Sequence, residues 1–151
     1  MVQVTAAQGK SNALTAQKQQ FARAFFTTGG SSYVAAQHAD YSYVGKPGLT
    51  AGATTPAKPG ETILIYGTGF GPTNPPLPSA QLVTTPAVLA NSVQVTIRGV
   101  PVQPPIYAGL VEAGLYQFNV TVPNVPDGDA AVMAQIGGVQ TQTGVLITVQ
   151  Q

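Results

Sequence analysis

Alternation of apolar and polar side chains, the mark of a half-buried strand, is plainest over residues 115–122. There Tyr116, Phe118, Val120 and Val122 fall on one face and Gln117, Asn119 and Thr121 on the other, so the first set is predicted to be core. Over residues 62–67 the pattern differs: Thr62, Leu64 and Tyr66 alternate with Ile63, Ile65 and Gly67, and both sets are largely apolar or β-branched. A strand of that kind is covered on both faces and belongs in the middle of a sheet. Gly67, Gly69 and Gly71 then let the chain leave the sheet sharply, and Pro72, Pro75, Pro76 and Pro78 oppose ladder pairing afterwards. Further strands are predicted over residues 33–38, 41–44, 93–98, 130–136 and 145–149, with an edge strand near 81–84. Residues 45–60 and 72–91 read as long proline-rich and glycine-rich loops. Residues 102–108 are interrupted by Pro104-Pro105 and should lie at an edge or carry a bulge. Gly99-Val100-Pro101 reads as a corner, and Gly137-Gly138 as a hairpin turn.

At the N-terminus, residues 2–7 alternate, Gln8-Gly9-Lys10-Ser11-Asn12 carry turn residues, and residues 13–19 are predicted to return as a second strand. This hairpin resembles residues 132–151, which also read as strand, turn and a Thr- and Gln-rich strand. The first 20 or so residues therefore read as the end of an upstream domain, followed by a Phe-rich opening at Phe21, Phe25 and Phe26. Many short strands at turn-marked intervals without a helical period indicate an all-β sandwich. The expected organisation is an N-terminal strand or hairpin extension over residues 1–26 and a sandwich over residues 27–151.

Several segments carry a family resemblance. They are Ala39-Asp40, Pro56-Ala57-Lys58-Pro59-Gly60-Glu61, Gly67-Thr68-Gly69-Phe70-Gly71-Pro72, Tyr107-Ala108-Gly109-Leu110, Gly114-Leu115-Tyr116-Gln117-Phe118-Asn119-Val120 and Val122-Pro123. Spanning roughly residues 24–149, they resemble the immunoglobulin-like IPT/TIG domains, in the version found at the C-termini of large secreted proteins of Solibacter-type acidobacteria. The resemblance implies an immunoglobulin-like β-sandwich and an extracellular or cell-surface setting. One departure is Arg98-Gly99-Val100, where a second glycine is usual before the Gly-Val-Pro corner.

Composition narrows the function. Charged residues make up 7% of the chain and the formal net charge is +1, which gives nucleic acid or an anionic membrane no electrostatic footprint. A near-zero net charge does not oppose association between copies. The absence of cysteine removes disulfide frameworks, thiolate metal sites and cysteine nucleophiles. No apolar run reaches membrane-spanning length and the start does not read as a secretory signal, so membrane insertion is not expected and an exported protein would be a mature or excised form.

Candidate chemistry is sparse. The glycines of residues 67–71 are followed by prolines and not by a helix, which argues against a phosphate loop. His38 is the lone histidine, and beside Asp40 it reads as a strand-end residue rather than a base. Asp127-Gly128-Asp129 matches part of a calcium loop but reads as a turn into a strand. Asn119-Val120-Thr121 matches a glycosylation acceptor within a predicted strand. No catalytic residue, metal or cofactor is assigned.

Two functions remain. The first is a non-catalytic structural or adhesion module whose partners are other copies of itself or adjacent immunoglobulin-like domains. Its candidate self-association residues are Val2, Val4, Leu14, Phe21, Phe25 and Phe26, with the hairpin either donated to a neighbour's open sheet edge or folded back on its own sandwich. The alternative is a carbohydrate-binding domain in which Tyr33, Tyr41 and Tyr43 form a platform for a glycan. A hydrolase is a distant third.

Overall fold

The computed structural model describes residues 1–17, 21–78 and 81–151. Lys18 and Gln19, at the end of the expected N-terminal return strand, lie outside the described residues. In chain order the strands are β1 (Thr5–Ala6), β2 (Gly9–Lys10), β3 (Ala24–Phe25), β4 (Ala36–His38), β5 (Tyr43–Val44), β6 (Thr54–Thr55), β7 (Thr62–Thr68) and β8 (Thr73–Asn74). They continue as β9 (Ala87–Leu89), β10 (Gln94–Ile97), β11 (Val100–Pro101), β12 (Tyr107–Glu112), β13 (Leu115–Thr121), β14 (Gly128–Ile136), β15 (Val139–Gln140) and β16 (Leu146–Val149).

The protein is an all-β sandwich with an added N-terminal hairpin. Among the described residues, nine strands form one sheet in the order β6-β5-β4-β7-β13-β12-β9-β8, with β3 also on β7. Five form the other, β11-β10-β14-β15, with β16 also on β14. The doubly apolar strand β7 is central as expected, pairing with β13 along one side and with β3 and β4 along the other. The alternating strand β13 buries Tyr116, Phe118 and Val120 and leaves Gln117 on the outer face.

The core lies between the two sheets. Phe25, Phe70, Tyr116 and Phe118 cluster with ring centroids 4.5 to 5.8 Å apart in tilted and edge-on pairs, the arrangement aromatic quadrupoles favour. Val95, Ile97, Val132, Ala134, Ile136 and Ile147 cover this cluster from the second sheet. One side of the sandwich is stitched shut: the Val34 N–H donates to the Leu146 carbonyl and the Ala57 N–H to the Thr148 carbonyl, both at 2.9 Å.

Several local expectations are corrected. Gly67 and Gly69 do more than release the chain: a Cβ on Gly67 would strike the Ala24 carbonyl and one on Gly69 the Ala22 carbonyl, so both make room for the backbone of β3. The prolines after Gly71 do not stop pairing altogether, because Thr73–Asn74 meets Ala87–Leu89; that edge strand replaces the one expected near 81–84. The loop over 45–60 contains β6, which runs parallel to β5. The corner at residues 99–101 is a hairpin in which Arg98 and Gly99 take φ of +53° and +75°. Positive φ at both central residues marks a type I′ turn, so Arg98 occupies a glycine-favouring position. Finally, the sandwich begins inside the segment expected as extension, since the Ala22 N–H donates to the Gly69 carbonyl and Ala24–Phe25 pairs with β7.

Candidate functional site: an exposed N-terminal hairpin

In the hairpin, Thr5 faces Lys10 and Ala6 faces Gly9, closing a turn at Ala7-Gln8 that is tighter and earlier than the one expected at residues 8–12. The ladder continues through a Ser11 N–H to Val4 carbonyl bond at 2.9 Å and a Val2 N–H to Leu14 carbonyl bond at 2.7 Å. This two-stranded sheet pairs with neither large sheet among the described residues. Every residue from 1 to 17 is exposed, with Val2, Val4 and Leu14 at 56%, 65% and 73%. Among the described residues the hairpin adds no edge strand to its own sandwich. A lone hairpin of this size is marginal in water, and its apolar side chains are largely exposed.

The remaining candidate self-association residues separate. Phe25 is buried in the aromatic cluster and Phe21 packs partly buried against the core, so both serve their own sandwich. Phe26 is partly exposed. Beside Phe21 lies Arg23, which sequence reasoning missed: it is nine-tenths buried with its guanidinium 5.1 Å from the Phe21 ring centre, and its Nε and Nη1 meet no acceptor among the described residues.

The three tyrosines do not form one platform. Tyr33 is 7% exposed, donating its hydroxyl to Asp129 at 2.6 Å with the Lys46 ammonium 4.7 Å from its ring centre. Tyr41 and Tyr43 are 68% and 55% exposed. Tyr43 instead flanks an apolar groove of about 560 Å³ with Tyr66, Gln37 and Thr50. The groove is ordered by the Tyr66 hydroxyl donating to the Gln37 amide oxygen at 2.8 Å.

His38 is not isolated. Its Nδ1 lies 3.2 Å from the Glu61 carboxylate and its Nε2 lies 2.9 Å from the Thr55 hydroxyl. With Nδ1 protonated, Nε2 is free to accept from Thr55, the polarity of a base held between an orienting carboxylate and a hydroxyl. Acyl chemistry also needs N–H donors aimed at a developing oxyanion. The neighbouring Lys58 N–H is taken by Glu61 at 2.7 Å. The trio ties the ends of β4 and β6 to the turn before β7, across 23 residues of sequence. The cleft over it, about 580 Å³, also meets Asp40 and Ser42. Hydrogen bonds from Ser42 hold the Asp40 carboxyl below its usual range.

The Asp127-Gly128-Asp129 carboxylates are likewise engaged. Asp127 accepts from the Gln151 N–H at 3.0 Å, and Asp129 accepts from Tyr33 and from Thr148, the latter at 2.8 Å. Those two hydroxyls hold the Asp129 carboxyl below its ordinary value. Among the described residues, no three His, Asp or Glu side chains gather as metal ligands, and no helix is long and apolar enough to cross a membrane. Asn119, in the matched acceptor sequence, accepts from the Gln117 amide at 2.7 Å within β13. Compared with models of protein families, with curated proteins and with solved structures, the chain matches none.

Proposed function

We propose that this chain is a non-catalytic module of extracellular structure or adhesion, immunoglobulin-like of the IPT/TIG kind, which joins copies of itself by donating its N-terminal strands. The observation that carries this reading is the hairpin with Val2, Val4 and Leu14 turned out to solvent and, among the described residues, no sheet paired with it. Exposed backbone edges and apolar side chains together form a template for strand addition. Because the donated and receiving surfaces differ, the contact is heterologous and extends into a filament unless its rotation closes a ring. The near-zero net charge leaves such packing unopposed.

Deleting residues 1–20 and comparing both proteins by light scattering and electron microscopy provides the test. Full-length protein should assemble and the truncated form should remain as soluble subunits. A full-length monomer at high concentration, or equal assembly by the truncated form, ends the proposal.

The groove beside Tyr43 and Tyr66 supports carbohydrate binding as the second reading, since an aromatic face next to the Gln37 amide suits a sugar ring. Specific signals on a glycan array that disappear in Tyr43→Ala would favour it.

A further inference from the structure

The N-terminal hairpin repeats most of the ladder of the closing hairpin, with one residue fewer between Ser11 and Leu14 than between Thr141 and Val145 and with a Leu14 N–H to Val2 carbonyl bond that has no counterpart there among the described residues. Thr5 facing Lys10 and Ala6 facing Gly9 correspond to Gln135 facing Gln140 and Ile136 facing Val139. The Ser11 N–H to Val4 carbonyl bond, 2.9 Å, matches Thr141 to Ala134 at 2.8 Å, and Val2 to Leu14, 2.7 Å, matches Val132 to Val145 at 2.9 Å. A side-chain bond is reproduced as well: the Ser11 hydroxyl accepts from the Val4 N–H at 3.1 Å, as the Thr141 hydroxyl accepts from the Ala134 N–H at 3.0 Å. A hydroxyl standing in for a ladder carbonyl is not dictated by strand pairing itself, so its recurrence at the same place marks the two segments as one element.

The correspondence gives four exposed apolar residues buried counterparts. Val2, Val4, Ala6 and Leu14 occupy the positions of Val132, Ala134, Ile136 and Val145, which are 0%, 1%, 1% and 2% exposed. The two rows contain valine, valine, alanine and leucine against valine, alanine, isoleucine and valine. Leucine and isoleucine are isomers, so the rows hold the same number of side-chain atoms, the kind of exchange cores tolerate best. Asn12 falls at Gln142, whose amide clips both the N–H and the carbonyl of Phe25 at 3.0 and 2.7 Å. The turns differ: Gly137 and Gly138 take φ of +57° and +75°, whereas the positive φ of the N-terminal turn, +129°, falls on Gly9. Ala7 also stands where Gly137 lies against the Phe21 ring, so Phe21 must give way when the hairpin seats.

We propose that the N-terminal hairpin is a second closing hairpin, which seats between β10 and the Phe25 backbone of another copy of this chain in place of that copy's residues 132–145. This rests on the self-association reading above and names its receiving site. The resident hairpin is covalently attached and competes at an effective concentration of roughly millimolar order. The donated one therefore gains ground when concentrated protein refolds and both compete for an empty site.

The absence of cysteine makes the seat measurable in the full chain. Met133 faces Thr96 and Gln135 faces Gln94 on the outer side of the second sheet. Gln3 corresponds to Met133, so a seated hairpin brings position 3 opposite position 96 and two residues away from position 94. Antiparallel residues directly opposite lie within the ~7 Å a disulfide spans, and residues two places off do not. The Q3C/T96C and Q3C/Q94C proteins, altered only on outer faces, are refolded at millimolar and at micromolar concentration, oxidised, and read by mass spectrometry and non-reducing gels. The expected result is an intermolecular disulfide between positions 3 and 96 that increases with concentration and is scarce between 3 and 94. Assemblies lacking that linkage, or linked equally at both positions, overturn this seat while leaving strand donation elsewhere open. Monomers joined internally between 3 and 96 overturn the second-copy claim. Protein that remains monomeric and unlinked overturns both this inference and the self-association reading.

Discussion

The hairpin of residues 2–14 and the closing hairpin of β14 and β15 share most of their ladder and their side-chain bond, yet one lies in solvent and the other supplies part of the core. Hydrogen bonding is therefore not what distinguishes them. A ladder exchanges bonds with water for bonds with itself and contributes modestly, whereas burying the apolar row removes it from water and stabilises by about 1.5 to 3 kcal/mol per large side chain. The closing hairpin is fixed by Val95 and Ile97 across the ladder and by the aromatic cluster behind it. The N-terminal hairpin has the same internal pattern without that backing.

Paired substitutions break or sharpen this contrast. The largest difference is expected between Ile136→Ala, which empties a fully buried position and should cost about 2 to 5 kcal/mol, and Leu14→Ala, which at an exposed position should change stability by no more than about 0.5 kcal/mol. Denaturant midpoints with unchanged slopes provide the measurement, and comparable losses at the two sites would mean that the N-terminal row is already packed in solution.

The hydroxyl pair gives a smaller difference. Thr141→Ala leaves the buried Ala134 N–H without its acceptor at a cost of about 1 to 3 kcal/mol, while Ser11→Ala lets water replace the hydroxyl and should stay within about 0.5 kcal/mol. The same denaturation series tests this, and the Ser11→Ala cost should rise toward that of Thr141→Ala only where the hairpin is seated in a partner.

The smallest effect concerns pH and belongs to the sandwich alone. Hydrogen bonds from Tyr33 and Thr148 lower the Asp129 carboxyl in the folded protein, so their stabilisation is fully present above the unfolded aspartate value of about 3.9 and is lost as pH falls through the lower folded value. Tyr33→Phe should flatten this acid dependence. Deleting residues 1–17, which contain no carboxylate side chain, should leave its shape unchanged. Thermal midpoints between about pH 5 and 2 follow the relevant window.

Much of the sandwich is legible in residue order. The alternation of Tyr116, Phe118 and Val120 against Gln117 and Asn119 fixes which face of β13 is core, and the doubly apolar run of β7 fixes its central place. Phe70 is different: it lies between two glycines outside any alternating run, yet it fills the middle of the aromatic cluster. Its burial follows from the chain turning back over the sheet. The Tyr33 hydroxyl on Asp129, the His38 link to Glu61 and the enclosed Arg23 are equally absent from any local pattern.

By itself the sequence determined the strand faces, the all-β class and the likeness of the two terminal segments, because period-two alternation and turn residues act over a few neighbouring positions. Only the tertiary structure decided which of two like hairpins has a core to enter, which tyrosines are buried, and that Gly67 and Gly69 are spacers for β3. Those outcomes depend on contacts between residues far apart in the chain. Closing such contacts is governed by how whole sheets pack, and adjacent side chains do not record it.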